Sequence, residues 1–385
     1  MTVPTEAAAP IDPNEVANKR VWVIGAGASK SHSRGEFPTL IELPRKAEQL
    51  GLLGPVRKHP EGHYAQLRRY VKRRFGATLD EAGSELNLEL VYTTLELDLL
   101  IRPDPELAAS RVQLVRLLRD TIRAVQSRGF DSAREYEWLV SHLGTRDTII
   151  TFNWDVLLDN ALGRKLILKD RQGEAKNQEA LTGHYWNFIL GLSGWGEMTV
   201  AQMAPPPPHT TRQWDGETGY FLKAHGSIDW FYCGNQLCRS FGSAYPVWDT
   251  RKQWYCGSCH ETMQLLLVPP TLNKGIRDFS ILRRIWNVAA RELAIATEVL
   301  VWGYSLPQTD FFSDWLLRQA RTPHCKHVTV IDPSVSKEGS GGVIRRDFVD
   351  RFRSAFRSVK ETRLFTFYRD FEAYRANSPA GSESG

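Results

Sequence analysis

The feature that most constrains the fold is a short apolar run that ends at a glycine-rich turn. The stretch VWVIGAGASKSHS, from Val21 to Ser33, places four apolar residues directly before the turn GAGAS at 25–29. A strand that is buried on both faces of a parallel sheet is a nearly continuous apolar run. A tight glycine turn after such a strand is typical of a phosphate-binding loop. The stretch therefore predicts a buried parallel strand that ends at a ligand site.

Five further runs have the same character. Helical patterns separate several of them, for instance SILRRIWNVAARELAIA before the run at Glu298 and DFFSDWLLRQA after it. Buried strands that alternate with helices predict an α/β fold with a Rossmann-like, doubly wound parallel sheet, whose ligand lies beyond the carboxyl ends of the strands. The runs are TIITFN (148–153), FLKAHG (221–226), EVLVWGYS (298–305), HVTVID (327–332) and RLFTFY (363–368).

The spacing of apolar residues between the first and second runs is helical, which predicts a helical insertion over about 38–145. The basic run RRYVKRR (68–74) fits a helix with a solvated basic face. Two longer helices are predicted from one-sided apolar stripes. The first carries Val112, Val115, Leu118, Ile122 and Val125, and the second carries Tyr136, Leu139, Val140 and Leu143 before Gly144 ends it.

The remaining organisation follows from composition. We expect one domain over 20–375, a flexible leader over 1–19 and a disordered tail over 376–385. The segments MAPPPPHTTRQWDGETG (203–219) and SVSKEGSGG (334–342) are predicted to be loops.

Charge and hydropathy limit the classes of function that the chain can have. The chain has 385 residues, 42% of them hydrophobic and 24% charged, which is typical of a soluble globular protein. Its apolar runs are too short to cross a bilayer, and its first twenty residues lack the pattern of a secretory signal, so a cytoplasmic protein is expected. A net charge of +5 is too small to predict direct nucleic-acid binding.

Four of the five cysteines have the spacing of a structural zinc ribbon. Cys233 and Cys238 are followed, after seventeen residues, by Cys256 and Cys259. A cytosolic compartment disfavours disulfides, and a closed four-cysteine site leaves no open position on the metal. We therefore expect one structural zinc ion in a small module over about 231–262.

Two alternatives for the metal ligands remain open from spacing alone. His260 could replace Cys259 as a ligand, although a residue beside a zinc knuckle is more often solvated. Cys325 lies between His324 and His327 and could form a second site, although a single buried thiol before a strand is the more common arrangement.

Polar residues follow three of the predicted strands at their carboxyl ends. Asn153 and Asp155 lie in TFNWD, and His225 lies in KAHGS. The third segment is GYSLPQTD, at 303–310. Because the carboxyl ends of parallel strands share one edge of a sheet, these groups are predicted to lie close to the glycine turn.

These segments carry a resemblance to the sirtuin superfamily, and more closely to its bacterial branch associated with antiphage defence. The matched segments span residues 21 to 332 in the order of the family, and the cysteine quartet falls between the histidine segment and the later strands. The segments are VIGAGAS, TFNWDVLLDNAL, LKAHGSIDW, LLLVPPTLNK, IWNVAARELAIATEVLVWGYSLPQTDFFSDWLL and VTVID.

The resemblance implies a role for each matched position. It implies NAD as the substrate, with Asn153 and Asp155 beside the nicotinamide and its ribose and His225 as the general base. It implies that the turn formed by Gly25, Ala26, Gly27 and Ser29 holds the pyrophosphate and the nicotinamide ribose. It also implies that Gly303, Ser305 and Asp332 line the adenosine half.

Structural explanations exist for several of these residues. Asn153 or Asp155 could cap the helix of WDVLLDNAL, although capping explains one of them and not both. A histidine at a strand end is more often a satisfied structural group than a base. The tryptophans at 230, 254, 286 and 302 are expected to be packing residues.

The sequence departs from protein-deacylating sirtuins at several positions. Those enzymes have an arginine-bearing segment after the glycine turn, where this chain has HSRGEFPTLIEL, and a glutamine where Phe152 stands. Two prolines in LLLVPPTLNK, at 269 and 270, cannot donate hydrogen bonds to an added peptide strand.

The resemblance and these departures together predict an NAD+ hydrolase that yields nicotinamide and ADP-ribose and depletes NAD in antiphage defence. The alternatives are an NAD-dependent protein deacylase or ADP-ribosyltransferase, and a sensor that binds NAD or ADP-ribose without catalysis. Many relatives in the branch act with a sensor domain or with a separate partner, such as a helicase-like ATPase or an argonaute-like protein. A partner of this kind, or a homo-oligomer that restrains the activity, is a hypothesis for this chain.

Overall fold

The computed structural model describes residues 19–54, 62–79, 86–129, 135–144, 146–162, 219–241, 244–246, 252–268, 279–307, 310–336, 345–357 and 364–378. Six of its strands are the predicted ones, and all but the first are shorter than the predicted runs. They are β1 (Arg20–Ile24), β2 (Thr148–Thr151), β3 (Phe221–Lys223), β7 (Glu298–Trp302), β8 (His327–Ile331) and β9 (Leu364–Tyr368).

These six strands form one parallel sheet in the order β3-β2-β1-β7-β8-β9. The strand order reverses between β1 and β7, so their shared edge is the topological switch point of the sheet. Ile24 pairs with both Thr151 and Trp302 in register, which places the last residues of the central strands at one level. The fold is therefore the predicted doubly wound, Rossmann-like α/β architecture.

A second, antiparallel sheet surrounds the cysteines. Its strands are β4 (Gly226–Cys233), β5 (Ala244–Pro246) and β6 (Met263–Leu267), in the order β5-β4-β6. The spacing of the cysteines predicted a module over 231–262 but not these three strands. Buried side chains of Phe231, Tyr245, Trp254 and Met263 pack around two of the cysteines and give the module a small core of its own.

Six described helices lie between β1 and β2, and all but α1 fall within the range 38–145 that was predicted to be helical. They are α1 (Ala26–His32), α2 (Leu43–Gln49), α3 (Ala65–Phe75), α4 (Leu88–Ile101), α5 (Pro105–Gln126) and α6 (Glu135–Ser141). The basic run lies on α3, whose Tyr70 and Val71 are buried. Tyr136, Leu139 and Val140 form the buried side of α6, as predicted.

The prediction of which residues form the buried face of α5 is partly wrong. Leu118, Ile122 and Val125 are buried, but Val112 is 64% exposed. Leu107, Leu114 and Leu117 are buried instead. The helix carries apolar residues on two sides, and the side toward α3 and α4 is the one that packs in the core.

Four more helices flank the later strands. They are α7 (Ser280–Ala294), α8 (Phe311–Leu317), α9 (Arg346–Phe356) and α10 (Phe371–Asn377), with short 3-10 helices at Arg318–Ala320 and Pro333–Val335. Right-handed connections from β7 to β8 to β9 run in the opposite direction to that from β1 to β2, so α8 and α9 cover the sheet face opposite to α1 and α6. Helix α10, which follows the last strand, lies on the α6 face, where the rings of Phe371 and Trp138 are in contact.

Four expectations fall wholly or partly outside the described residues. The leader lies outside them apart from Lys19, which is buried and pairs with Glu292 at 2.6 Å. The tail prediction is wrong for Ala376 and Asn377, which belong to α10. Of the two predicted loops, the first lies outside apart from Gly219, and the second begins in a 3-10 helix. Within the described residues, no helix is both long and apolar enough to cross a membrane.

Candidate functional site

Two glycine turns meet backbone to backbone at the switch point. The N–H of Gly25 donates to the carbonyl oxygen of Trp302 at 3.0 Å, and the N–H of Gly27 donates to that of Gly303 at 2.8 Å. A Cβ on Gly27 would lie 2.8 Å from the Cα of Gly303, and a Cβ on Gly303 would lie 2.0 Å from the nitrogen of Ala28. The glycines are thus required because the β1 and β7 turns pack without side chains between them.

This packing also fixes the conformation of the glycine turn. The N–H groups of Gly25 and Gly27 donate to the β7 turn, and that of Ala28 donates to the carbonyl oxygen of Gly25 at 2.9 Å. The glycines therefore fix the backbone conformation of the turn, and this conformation positions the side chain of Ser29. The role that the resemblance implies for Gly25, Ala26, Gly27 and Ser29, holding the pyrophosphate and nicotinamide ribose, stays a prediction.

Ser29 is the centre of a buried hydrogen-bond network. Its Oγ donates to Oδ2 of Asp155 at 2.7 Å and accepts from Nδ2 of Asn153 at 3.0 Å. The hydroxyl of Tyr136 lies 2.8 Å from the same oxygen. Because the single proton of Ser29 is directed to the carboxylate, the Tyr136 hydroxyl is the donor in that contact. The network joins the β1 turn, the end of β2 and α6.

The orientation of the Asn153 amide follows from its partners. Its Nδ2 donates to the carbonyl oxygen of Gly25 at 3.0 Å and to Oγ of Ser29. A carbonyl oxygen can only accept, so the nitrogen must be on this side of the amide. The side chain is 8% exposed, and the described part of the chain provides no donor bonded to its Oδ1. Asn153 therefore presents an acceptor oxygen, held in a fixed direction.

Asp155 is the residue that caps the following helix. Its Oδ1 accepts from the N–H of Leu157 at 3.1 Å, while its Oδ2 is bonded to Ser29. Burial raises the pKa of the Asp155 carboxyl, and the ammonium group of Lys223 partly offsets this effect. Lys223 also donates to the carbonyl oxygen of Asp155 at 2.6 Å. Capping thus explains Asp155 and does not explain Asn153.

His225 occupies the matching place after β3. Thr151 and Lys223 are paired in register, so Asn153 and His225 each lie two residues beyond a paired strand end. The imidazole ring lies 4.8 Å from the ring of Phe152 and 6.3 Å from that of Trp286. The next residue, Gly226, has a φ of 76°, and a Cβ there would lie 2.2 Å from the carbonyl oxygen of Leu266. The glycine therefore permits the sharp turn after the histidine.

Asp310 is a site residue that sequence reasoning missed. Its Oδ2 lies 3.7 Å from Nε2 of His225, and its side chain is fully buried. The same carboxylate accepts hydrogen bonds from the hydroxyl of Tyr304 at 3.0 Å and from the hydroxyl and N–H of Ser313. It is also the N-cap of α8. In the sequence, the segment GYSLPQTD was predicted to lie close to the glycine turn, but no local pattern identified Asp310 as the neighbour of His225.

The three positions expected to line the adenosine half follow β7 and β8. Gly303 has a φ of 63° and accepts from Gly27. Ser305 is exposed, and its carbonyl oxygen accepts from Arg351 at 3.4 Å. Asp332 accepts from the N–H of Ser334 at 2.8 Å, and burial raises the pKa of its carboxyl. All three lie at the same edge of the sheet as the Ser29 network.

The cysteine quartet converges as its spacing predicts. The Sγ atoms of Cys233 and Cys259 lie 3.4 Å apart, those of Cys238 and Cys256 lie 3.7 Å apart, and all four lie within 4.8 Å of one another. Tetrahedral ligation at the zinc–sulfur distance of about 2.3 Å separates sulfurs by roughly 3.8 Å. The N–H groups of Ser240 and Ser258 point to two of the sulfurs at 3.4 Å. The quartet can bind one zinc ion.

The two residues considered as alternative metal ligands, His260 and Cys325, lie outside the cysteine cluster. His260 is exposed, has a φ of 61° and does not belong to the cysteine cluster. Cys325 is fully buried, and its thiol donates to the carbonyl oxygen of His327 at 3.7 Å. The tryptophans at 230, 254, 286 and 302 are all buried, as expected of packing residues.

A separate cleft of about 1390 Å³ lies on the sheet face that α10 covers. Arg20, Glu135, Trp138 and Arg375 are among its lining residues. Neither Asn153 nor His225 lines it, so it is distinct from the site at the switch point.

No protein-family model matches the chain, and no curated protein matches it. Solved structures do. A Sir2 homologue mutant in complex with 2′-O-acetyl ADP ribose is 13% identical, with a TM-score of 0.37, over 91% of this chain and 100% of that chain. A Sir2 homologue bound to NAD is 12% identical, with a TM-score of 0.33, over 88% and 91%. A Sir2 mutant with a p53 peptide and NAD is 10% identical, with a TM-score of 0.35, over 94% and 92%.

Proposed function

We propose that the chain hydrolyses NAD+ to nicotinamide and ADP-ribose at the switch point between β1 and β7. The observation that carries the proposal is the placement of Asn153 and His225, two residues beyond the paired ends of neighbouring strands. The amide of Asn153 is locked onto Ser29 and Gly25, and the imidazole of His225 lies beside a buried carboxylate. The sequence resemblance to sirtuins supplies NAD as the substrate.

The reaction breaks the bond between the ribose carbon and the nicotinamide nitrogen. The bonding electrons leave with nicotinamide, which departs as a neutral molecule, and an oxocarbenium-like ribose remains, as in glycoside hydrolysis. A water oxygen then bonds to that carbon and gives up a proton. The products are nicotinamide, ADP-ribose and one proton, and no metal or redox step is needed for the balance.

Asn153 orients the attacking water. Both hydrogens of its amide are directed to Gly25 and Ser29, so the Oδ1 atom accepts a hydrogen bond from the water. Asp155 acts through Ser29, because its oxygens are bonded to Ser29 and to the N–H of Leu157. We propose that Asp155 holds the Ser29 network in place, and its position beside the nicotinamide ribose, which the resemblance implies, stays a prediction.

His225 accepts the proton of the water or of a ribose hydroxyl. Asp310 lies on the Nε2 side of the ring and stabilises the imidazolium that forms. Trp286 donates to the carbonyl oxygen of Ala224 at 2.9 Å and so fixes the aromatic wall beside His225. Gly303, Ser305 and Asp332 would contact the adenosine half from the ends of β7 and β8.

Phe152 favours water over an acyl-lysine acceptor. Deacylating sirtuins have a glutamine at the matching position, whereas here an apolar ring lies 4.8 Å from the ring of His225 and 4.5 Å from that of Tyr304. The two prolines that argue in the same direction lie outside the described residues. Purified protein is expected to cleave NAD with equal yields of nicotinamide and ADP-ribose. Dependence of cleavage on an acetyl-lysine peptide would instead identify a deacylase.

The proposed biological role is the depletion of NAD during phage infection, which rests on the sequence resemblance. Cells that carry the chain should lose NAD after infection, and cells that carry His225→Ala should not. An unchanged NAD level in infected cells carrying the active chain would contradict the role. Tight NAD binding by the purified chain without turnover would support a sensor.

A further inference from the structure

A buried ammonium group lies behind the Ser29 network. Lys223 is the last residue of β3 and is 1% exposed. Its Nζ donates to the carbonyl oxygen of Asp155 at 2.6 Å and to Oδ2 of Asp159 at 2.8 Å. Asp159 belongs to the helical turn that Asp155 caps. The ammonium group therefore ties the end of β3 to the segment that follows β2.

The Ser29 network depends on the charge of Asp155. A serine hydroxyl has one proton and two lone pairs. The proton of Ser29 is donated to Asp155, and the lone pairs accept from Asn153 and Tyr136. Hydrogen bonds to an ionised acceptor are about twice as strong as those between neutral groups. Protonation of Asp155 would remove this preference, so the Ser29 hydroxyl would be free to turn and the Asn153 amide would lose a fixed acceptor.

Burial opposes the charge of Asp155. The side chain is 3% exposed, and burial raises the pKa of its carboxyl above the usual 3.8. The described titratable groups that face it are Lys223 of β3, Asp159 after β2 and Tyr136 of α6. Asp159 raises the pKa of Asp155 further, and the Tyr136 phenol is neutral because burial raises its own pKa well above the usual range. Of these three groups, Lys223 is the one that favours the carboxylate.

A third carboxyl faces the same ammonium group from the antiparallel sheet. Burial raises the pKa of the Asp229 carboxyl on β4, and Lys223 partly offsets this effect. The buried Oδ1 of Asp229 has no hydrogen-bond partner among the described residues. Lys223 thus supplies one positive charge to three carboxyls, those of Asp155, Asp159 and Asp229.

We propose that Lys223 is a positioning residue of the proposed active site, because its ammonium group keeps Asp155 ionised and so fixes the Asn153 amide through Ser29. The effect on turnover rests on the proposed function, whereas the effect on Asp155 is independent of any activity. Turnover then requires two protonation states together. His225 must be neutral to accept a proton, and Asp155 must be ionised to hold the network.

The first test measures the pKa of Asp155 by 13C NMR of the full chain labelled at the aspartate carboxyl carbons. The Asp155 signal is assigned by its loss in Asp155→Asn. Lys223→Met is expected to raise this pKa by about one unit or more, because a neighbouring opposite charge is lost. Asp159→Asn is expected to lower it, because a like charge is lost while an acceptor for Lys223 remains. An unchanged pKa in Lys223→Met would overturn the proposal.

Lys19→Met is the matched control. Lys19 is a fully buried ammonium group as well, but it pairs with Glu292 at the amino end of β1, at the opposite edge of the sheet. The pKa of Asp155 should not change in this variant, and an equal shift there would overturn the proposal. Circular dichroism checks that each variant is folded. If Lys223→Met does not fold, Asp159→Asn decides, and a pKa of Asp155 that does not fall in that variant would overturn the proposal.

The second test compares kcat for nicotinamide release between Lys223→Met and the unsubstituted chain as the pH is lowered. The contribution of His225 cancels in this ratio. We expect the ratio to fall by about tenfold on the acid side, as a shift of one pKa unit requires, and to level off above it. A ratio that is the same at every pH would mean that Lys223 only supports the fold, and would overturn the proposal. Absence of nicotinamide release from the unsubstituted chain would contradict the proposed function instead, and the NMR titration would then decide the role of Lys223.

Discussion

His225 and Asp310 lie side by side in the protein interior, with 3.7 Å between Nε2 and Oδ2 and side-chain exposures of 3 and 0%. Water screens such a pair little, so the carboxylate interacts strongly with any charge that forms on the ring. Hydrogen bonds from Tyr304 and Ser313 hold the carboxylate in position. The pair gives the proposed base a fixed counter-charge.

Replacement of Asp310 by Asn tests that role. Asparagine is also a good N-cap, so α8 should remain intact while the charge is lost. We expect kcat for NAD cleavage to fall about 100-fold with little change in KM, because the imidazolium loses its stabilisation. Steady-state kinetics would show the split. Asp314→Asn, on the same helix in an ion pair with Arg318, is the control and should keep its kcat. An unchanged kcat in Asp310→Asn would refute the role.

Gly303→Ala should be strongly destabilising. Its φ of 63° and a Cβ position 2.0 Å from the nitrogen of Ala28 mean that both turns must shift. We expect the free energy of unfolding to fall by about 3 kcal/mol or more. Gly51→Ala is the matched control, with a φ of 71° and no atom near the added Cβ, and should cost about 1 kcal/mol. Urea denaturation measures both, and equal losses would contradict the close packing of the turns.

The buried Asp155 predicts a pH dependence of stability. Burial raises the pKa of its carboxyl above the usual 3.8, so the folded state binds a proton more tightly than the unfolded state. The free energy of unfolding therefore falls as the pH rises from about 3.8 through the folded pKa. Asp155→Asn removes this contribution, while other buried carboxyls cancel in the comparison. We expect the two denaturation curves to diverge with pH in this range. Curves that stay parallel would argue against a raised pKa.

The cysteine quartet predicts one zinc ion per chain by elemental analysis. Cys256→Ser should abolish zinc binding and lower the free energy of unfolding by about 3 kcal/mol or more, because metal binding is coupled to folding of the module. Cys325→Ser is the control, since Cys325 is buried outside the quartet and should leave the zinc content unchanged. Full zinc content in Cys256→Ser would mean that the quartet does not hold the metal.

The central sheet was predictable because strands that are buried on both faces are short, nearly continuous apolar runs, which are recognisable without knowing what they pair with. The positions of Asn153 and His225 were predictable for a related reason: parallel strands end at one edge of a sheet, so the residues that follow them lie at the same edge. The cysteine quartet was found because zinc ligation imposes its own spacing. These signals are local in the sequence and can be recognised without the tertiary structure.

Other features depend on contacts that sequence does not encode locally. Asp310 has the signature of a helix cap, and only tertiary packing, of α8 against α7 and of α7 against β3, brings it to His225. The strands β4, β5 and β6 pair antiparallel around the cysteine loops. They were not predicted because they overlap in sequence with the histidine and cysteine motifs, which were the more obvious pattern. Val112 was predicted to lie in the core because α5 carries apolar residues on two sides, and the sequence does not show which side is buried.

Nicotinamide release from NAD by the purified protein tests the central claim most directly, with Asn153→Ala and His225→Ala alongside and Asp314→Asn as the control. The account predicts nicotinamide and ADP-ribose in equal amounts from the unsubstituted chain and from the control, and at least a 100-fold slower release from both alanine variants. Release that is unaffected by either alanine substitution, or bound NAD that is never cleaved, would contradict it.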